Sequence, residues 1–90
     1  MPAAKQWNVQ ILLTEDGRET RAEARLNNNA HMSAIRGVGK ANRDPGDSDV
    51  PQIGDEIAAA RALNDLARKL LRTAAVDIEG VTHEPAHLHT

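Results

Sequence analysis

Residues 50–85, VPQIGDEIAAARALNDLARKLLRTAAVDIEGVTHEP, constrain the fold more than any other part of the chain. Within them Ile57, Ala60, Leu63, Leu66, Ala67, Leu70, Leu71 and Ala74 recur at three- and four-residue steps, the period of an amphipathic helix. Such a stripe must be buried against another layer, and Arg61, Asp65, Arg68, Lys69 and Arg72 occupy the opposite side. The pattern predicts a helix over about 54–74, with Asp55 and Glu56 in its first turn, where negative charge offsets the helix dipole. A second short helix is predicted over about 76–83, carrying Ile78 and Val81 inward until Pro85 stops it, followed by a flexible tail at 86–90.

The layer that receives the helix is read from the first half of the chain. Trp7, Val9, Ile11 and Leu13 alternate with Asn8, Gln10 and Thr14, with Leu12 as the apolar exception, and predict a strand over about 5–14. Glu15-Asp16-Gly17 supplies a turn, because glycine accepts positive φ at little cost. Residues 18–26 place Thr20, Ala22, Ala24 and Leu26 on one face and Arg21, Glu23 and Arg25 on the other. Helix competes for this Ala/Glu/Arg run, but its position among hairpin signals favours strand. Asn27-Asn28-Asn29 turns the chain again, and 31–42 reads as a third strand with Met32, Ala34, Ile35 and Val38, where Gly37 and Gly39 mark a bulge or a close backbone approach. A loop rich in Pro, Gly and Asp spans 43–52. The expected architecture is α+β: three antiparallel strands packed on one long helix, plus the short C-terminal helix, with Leu63, Leu66 and Leu70 facing Val9, Ile11 and Leu26.

Ninety residues form a single domain, 1–90, near the size at which one core becomes marginal. Three strands and one main helix leave sheet surface and sheet edges uncovered, so the chain is expected to pair with itself as a homodimer. The net charge of −2 advertises no global attraction to nucleic acid or anionic membrane, and no apolar run reaches the roughly 18 residues of a membrane span. The start MPAAKQWN lacks the regions of a secretion signal and there is no cysteine, so a cytoplasmic location is expected, without disulfides, thiol catalysis or thiolate metal sites. Trp7 is the single aromatic residue, which leaves few platforms for stacking bases.

Four short patterns bear on chemistry. His83-Glu84-Pro85-Ala86-His87 matches the zinc-protease string literally, but Pro85 obstructs the helix that would bring both histidines to one face, so His83, His87 and His89 read as solvated tail residues. Gly37-Val38-Gly39-Lys40-Ala41-Asn42 lacks the third glycine and the following helix of a dinucleotide fingerprint. Asp44, Asp47 and Asp49 do not fit calcium-loop spacing, which would put Pro51 and Ala58 at ligand positions. Ser33 and Ser48 have no plausible triad partners. No enzyme activity, metal, cofactor or small-molecule substrate is therefore expected. The remaining candidate is the basic helix face, Arg61, Arg68, Lys69 and Arg72, as a phosphate-contacting surface on an RNA, to be weighed against a solvated face paired through Asp65.

The segments IGDE at 53–56, ARAL.DL at 60–66 and DIE.VTH.P at 77–85, with GVGKANRDP before them, resemble a family of small actinobacterial proteins classed as a domain of unknown function. The resemblance runs from about Trp7 to Leu88. It implies a fold similar to double-stranded-RNA-binding domains and, because one member has been likened to ribosome hibernation promoting factors, a role in dormancy or stress on the ribosome. Where those RNA-binding domains carry lysines at the corresponding helix start, this chain has Gly54-Asp55-Glu56, whose carboxylates repel phosphate. Any contact to the ribosome is therefore assigned to Arg61, Arg68, Lys69 and Arg72, and the alternative is a homodimeric interaction or structural module with no nucleic acid partner.

Overall fold

The computed structural model describes residues 2–27, 34–44, 46 and 50–88, so Met32, Ser33, Asp47, Ser48, Asp49 and His89 lie outside the described residues. Three strands, β1 (Asn8–Asp16), β2 (Glu19–Asn27) and β3 (Ile35–Asn42), are followed by one helix, α1 (Pro51–Thr82). The sheet is antiparallel in the order β1-β2-β3, with β2 in the middle. β1 runs through Glu15 and Asp16 to the Asp16↔Glu19 pair, which moves the turn to Gly17-Arg18. Gly17 sits at φ +62, as the first central position of a two-residue type II′ hairpin requires.

The expected pair of helices is corrected to one. Nothing between Ala74 and Val76 breaks the backbone, and Gly80 costs a helix interior only about 1 kcal/mol relative to alanine, so 32 residues continue unbroken. The helix ends where His83 adopts the left-handed conformation at φ 60 and donates its N–H to the Glu79 carbonyl at 2.7 Å. Its start also moves forward, to Pro51, whose missing N–H and fixed φ suit the first helical position. Asp55 and Glu56 consequently lie beyond the first turn. The architecture is β-β-β-α rather than the β-β-β-α-α form expected of a fold similar to the double-stranded-RNA-binding domains.

The core is built from small residues: Ala22, Ala24 and Leu26 from β2, Ala41 from β3, and Ala58, Ala62 and Leu66 from α1, with Ile35 and Leu70 packed at its margin. The β2 face was legible from alternation. The helix face was legible in part: Leu66 is buried and Leu70 packs at the core margin as expected, but Ala58 and Ala62 complete the buried line while Ile57, Ala60 and Leu63 are exposed. The cause is the pair Gly37 and Gly39. A Cβ at Gly37 would overlap the Ala62 carbonyl oxygen and the Leu66 amide nitrogen, and one at Gly39 would overlap the Ala62 amide nitrogen and the Ala58 carbonyl oxygen. Helix backbone thus lies directly on strand backbone, and β3 stays in continuous register from Ile35 to Asn42 without a bulge. The helix is seated over β2 and β3 and barely reaches β1. Val9 and Ile11, expected to pack beneath Leu63 and Leu70, remain 42% and 40% exposed.

Gly37→Ala should therefore destabilise the protein by at least about 3 kcal/mol, the upper range for overpacking, because backbone and not a mobile side chain must yield. Gly80→Ala, with open space around its Cβ, should stabilise by about 0.5–1 kcal/mol. Urea unfolding followed by circular dichroism checks both.

Candidate functional site

The backbone contact brings the polar flank of α1 to the outer edge of β3. Asp65 Oδ2 accepts the Val38 backbone N–H at 2.8 Å, and Arg61 Nη1 donates to the Lys40 carbonyl at 2.7 Å. Alternate residues of an antiparallel edge strand direct their backbone groups away from the sheet, and Val38 and Lys40 are two such residues. Two side chains of the helix thus take the place of a fourth strand along part of the β3 edge.

Arg68 Nη2 reaches Asp65 Oδ1 at 3.1 Å and Lys69 Nζ reaches Asp65 Oδ2 at 3.1 Å. The bond from the Val38 N–H first, then the hydrogen bond from Lys69, with lesser help from the Arg68 hydrogen bond and the Lys69 charge, holds the Asp65 carboxyl at about 2, below its usual 3.8, while burial opposes them. Of the four cations singled out in the sequence, Arg61, Arg68 and Lys69 therefore have internal partners. Arg72 makes no hydrogen bond or ion pair among the described residues. One carboxylate cannot neutralise this group, and Arg61 bonds to a carbonyl, so the flank keeps a net positive charge.

The positive surface continues around the β3 edge onto the sheet face opposite the helix, where periodicity in the helix gave no signal. The register sets Arg21 opposite Lys40 and Arg25 opposite Arg36, two like-charged cross-strand pairs on either side of a middle row formed by Leu12, Glu23 and Val38. Glu23 is shared by Arg25 at 3.2 Å and by Arg21 and Arg36 at 3.8 Å each, and Lys40 meets Glu19 at 3.8 Å. The signal was present in the sequence as cations four apart in two successive strands, but it needed the register to be read. Between β3 and α1, Val38, Gly39, Lys40, Arg61, Asn64 and Arg68 line an open cleft that joins the two surfaces.

This arrangement separates charge. The helix flank and sheet face together hold eight of the eleven Lys and Arg but four of the thirteen carboxylates, Asp16, Glu19, Glu23 and Asp65, a net of +4, which leaves −6 on the rest of the chain. His83 caps the helix and His87 lies beyond Pro85, so the two are not presented on one helical face. The segment after the cap folds back: the Ala86 N–H donates to Glu79 Oε1 at 2.9 Å, and Ala86, His87 and Leu88 lie near Leu71, Arg72 and Ala75. Among the described residues no helix is long and apolar enough to cross a membrane.

Comparison with known proteins places this geometry in context. Residues 5–87 match the profile of the family described as Rv2632c-like. The chain belongs to that family. The Mycobacterium bovis protein Mb1767, named as uncharacterised, is 45% identical over 84 residues, covering 93% of this chain and 87% of its own. The Mycobacterium tuberculosis protein Rv2632c, named likewise, is 46% identical over 81 residues, covering 90% and 85%. The crystal structure of Rv2632c is similar to this Rv2632c-like chain with a TM-score of 0.82 at 44% identity, over 93% of this chain and 98% of that one. The resemblance to a small actinobacterial family thus holds for nearly the full length.

Asp65→Ala should lower the melting temperature at neutral pH, since the Val38 N–H and two cations lose their acceptor. A carboxyl held at about 2 in the folded chain against an ordinary 3.8 stabilises fully above the ordinary value and loses its contribution as pH falls toward 2. The gap between parent and variant should therefore narrow from about pH 4 to about pH 2 in thermal melts followed by circular dichroism.

Proposed function

We propose that this protein is non-enzymatic and acts on the ribosome, contacting ribosomal RNA phosphates through the basic surface around β3, in the stress or dormant state implied by the family resemblance. The observation that supports this reading is the concentration of +4 around the β3 edge and the adjoining sheet face of a chain whose net charge is −2. Like charges placed directly opposite on neighbouring strands cost stability, and Glu23 and Glu19 offset that cost only in part for Arg21 against Lys40 and Arg25 against Arg36, since four cations share two carboxylates. A polyanion laid across them removes that cost. Gln10 and Thr14 flank the cations on the same face and offer neutral groups of the kind that bond phosphate and sugar. With Trp7 as the single aromatic, base stacking contributes little, and the protein is positioned on RNA without reading its sequence.

The four helix cations alone form a weaker surface than the sequence implies, since Arg61, Arg68 and Lys69 are held by hydrogen bonds or close ion pairs at 2.7–3.1 Å, whereas Arg36 and Lys40 meet their carboxylates only at 3.8 Å. The test therefore centres on the exposed groups Arg36, Lys40 and Arg72. The parent should cosediment with ribosomes at low salt and dissociate as salt rises, because counterion release then contributes less. Arg36→Gln, Lys40→Gln and Arg72→Gln combined should weaken binding at least tenfold and flatten the logarithmic salt dependence by roughly one for each phosphate left without its cation. Full binding by the folded triple variant would overturn the surface. Absence of cosedimentation by the parent at low salt would overturn the function in favour of an interaction module with no nucleic acid partner.

A further inference from the structure

From the end of the sheet that lies beneath the helix start, we infer that this chain has a small-molecule site that binds a free aliphatic α-amino acid. The register partners Glu15, Thr20 and Ala41 form the last inward row of the sheet, and the start of α1 stands over that row. The cavity between them has a volume of about 300 Å³, at the lower end of the range for small-molecule sites. At about 30 Å³ for each water it holds about ten, the bulk of a molecule the size of leucine. Thr20 is 5% exposed and is the one buried polar residue among those described, where the other inward positions of β2 are Ala22, Ala24 and Leu26. Its hydroxyl has no hydrogen-bond partner among the described residues and stays open to the cavity. Buried hydroxyls are paired as a rule, so this one lacks a partner that a ligand can supply. Gly54 passes directly above it: a Cβ there would stand 3.1 Å from Thr20 Oγ1, and its absence keeps the hydroxyl uncovered.

The chemistry of the occupant follows from the charges and the lining. Arg18, at the hairpin turn, makes no ion pair among the described residues. The helix start beside it is a positive pole without compensation: Val50 offers no side-chain cap, the first turn holds no acidic residue, and Asp55 and Glu56 do not line the cavity. The two features together suit a carboxylate. Glu15, at the β1 end of the floor, is likewise without an ion pair among the described residues and suits an ammonium group. Val50, Ile53 and Ile57 are 45%, 54% and 40% exposed and, with Ala41, supply an aliphatic lining. An amino acid with a branched alkyl side chain meets all three demands at once. A lone phosphate would face the Glu15 carboxylate and gain nothing from the aliphatic wall. Arg36, Lys40 and Arg72 do not line the cavity, so the inference is independent of the ribosome reading.

The probe is L-leucine, titrated to about 20 mM into the isotope-labelled full chain and followed by two-dimensional amide NMR. The signals of Gly17, Thr20 and Gly54 should shift together and saturate with one dissociation constant. Isocaproate, which lacks the ammonium group, and isoamylamine, which lacks the carboxylate, should each bind at least about tenfold more weakly, because one charged group of the site is then left without its partner. Thr20→Val keeps the shape of the side chain and removes the hydroxyl, and it should weaken leucine binding by roughly threefold to tenfold. Arg18→Gln, at an exposed turn, should weaken it at least about tenfold with an unchanged circular dichroism spectrum. The combined Arg36→Gln, Lys40→Gln and Arg72→Gln variant should bind leucine as the parent does. Absence of a saturable shift in the parent overturns the inference, as does unchanged affinity in folded Thr20→Val or Arg18→Gln. Binding of isocaproate or isoamylamine as tight as that of leucine overturns the amino-acid assignment, and loss of leucine binding in the combined variant overturns the separateness of the site.

Discussion

Because neither Gly37 nor Gly39 carries a Cβ, the helix backbone at Ala58, Ala62 and Leu66 rests on β3 itself, and this seating decides which part of the sheet is covered. A larger residue at either glycine would lift α1 away and move Asp65 and Arg61 out of reach of the β3 edge. The same closeness pulls the helix off the centre of the sheet. One edge is then occupied by side chains of α1, while the strand at the other edge is left with an aliphatic face open to water. The capped edge and the bare strand are two results of a single backbone contact.

How much of this could be read in the sequence follows from which signals are local. Alternation in β2 identified Thr20, Ala22, Ala24 and Leu26 as the inward face, and all four are buried. The hairpin was visible through Gly17, although its turn falls at Gly17-Arg18. The helix was visible as a helix, but its buried line was misplaced by about one residue. Large aliphatic side chains drew the reading to Ile57 and Leu63, whereas an approach at backbone distance admits only Ala58 and Ala62 along most of its length. The clue was the spacing of Gly37 and Gly39, identified as one of two alternatives, and their partners could be assigned only once the strand and helix were placed against each other. The separate second helix, expected to start at about Val76, is a continuation of the first, since Ala74 and Ala75 at the expected break are the residues most favourable to helix.

The candidate site shows the same limit. Arg61, Arg68, Lys69 and Arg72 were found because helical spacing is short-range. The sheet-face cations Arg21, Arg25, Arg36 and Lys40 form a cluster only through pairings that span up to nineteen positions in the chain. Asp65 was expected to serve as a salt-bridge partner on a solvated helix. Its bond to the Val38 N–H gives it a further role, as the group that ties the helix to a strand edge, and no pattern within the helix could have indicated it.

The alanine-rich core also bears on how the fold responds to temperature. Among the described residues, five of the seven buried core residues are alanine. Alanine surrenders almost no rotamer freedom on burial, but each such side chain removes little apolar area from water. Heat capacity on unfolding scales with that area, and so does the curvature of stability with temperature. The single chain should accordingly have a shallow stability curve, losing little on cooling and gaining little near its optimum.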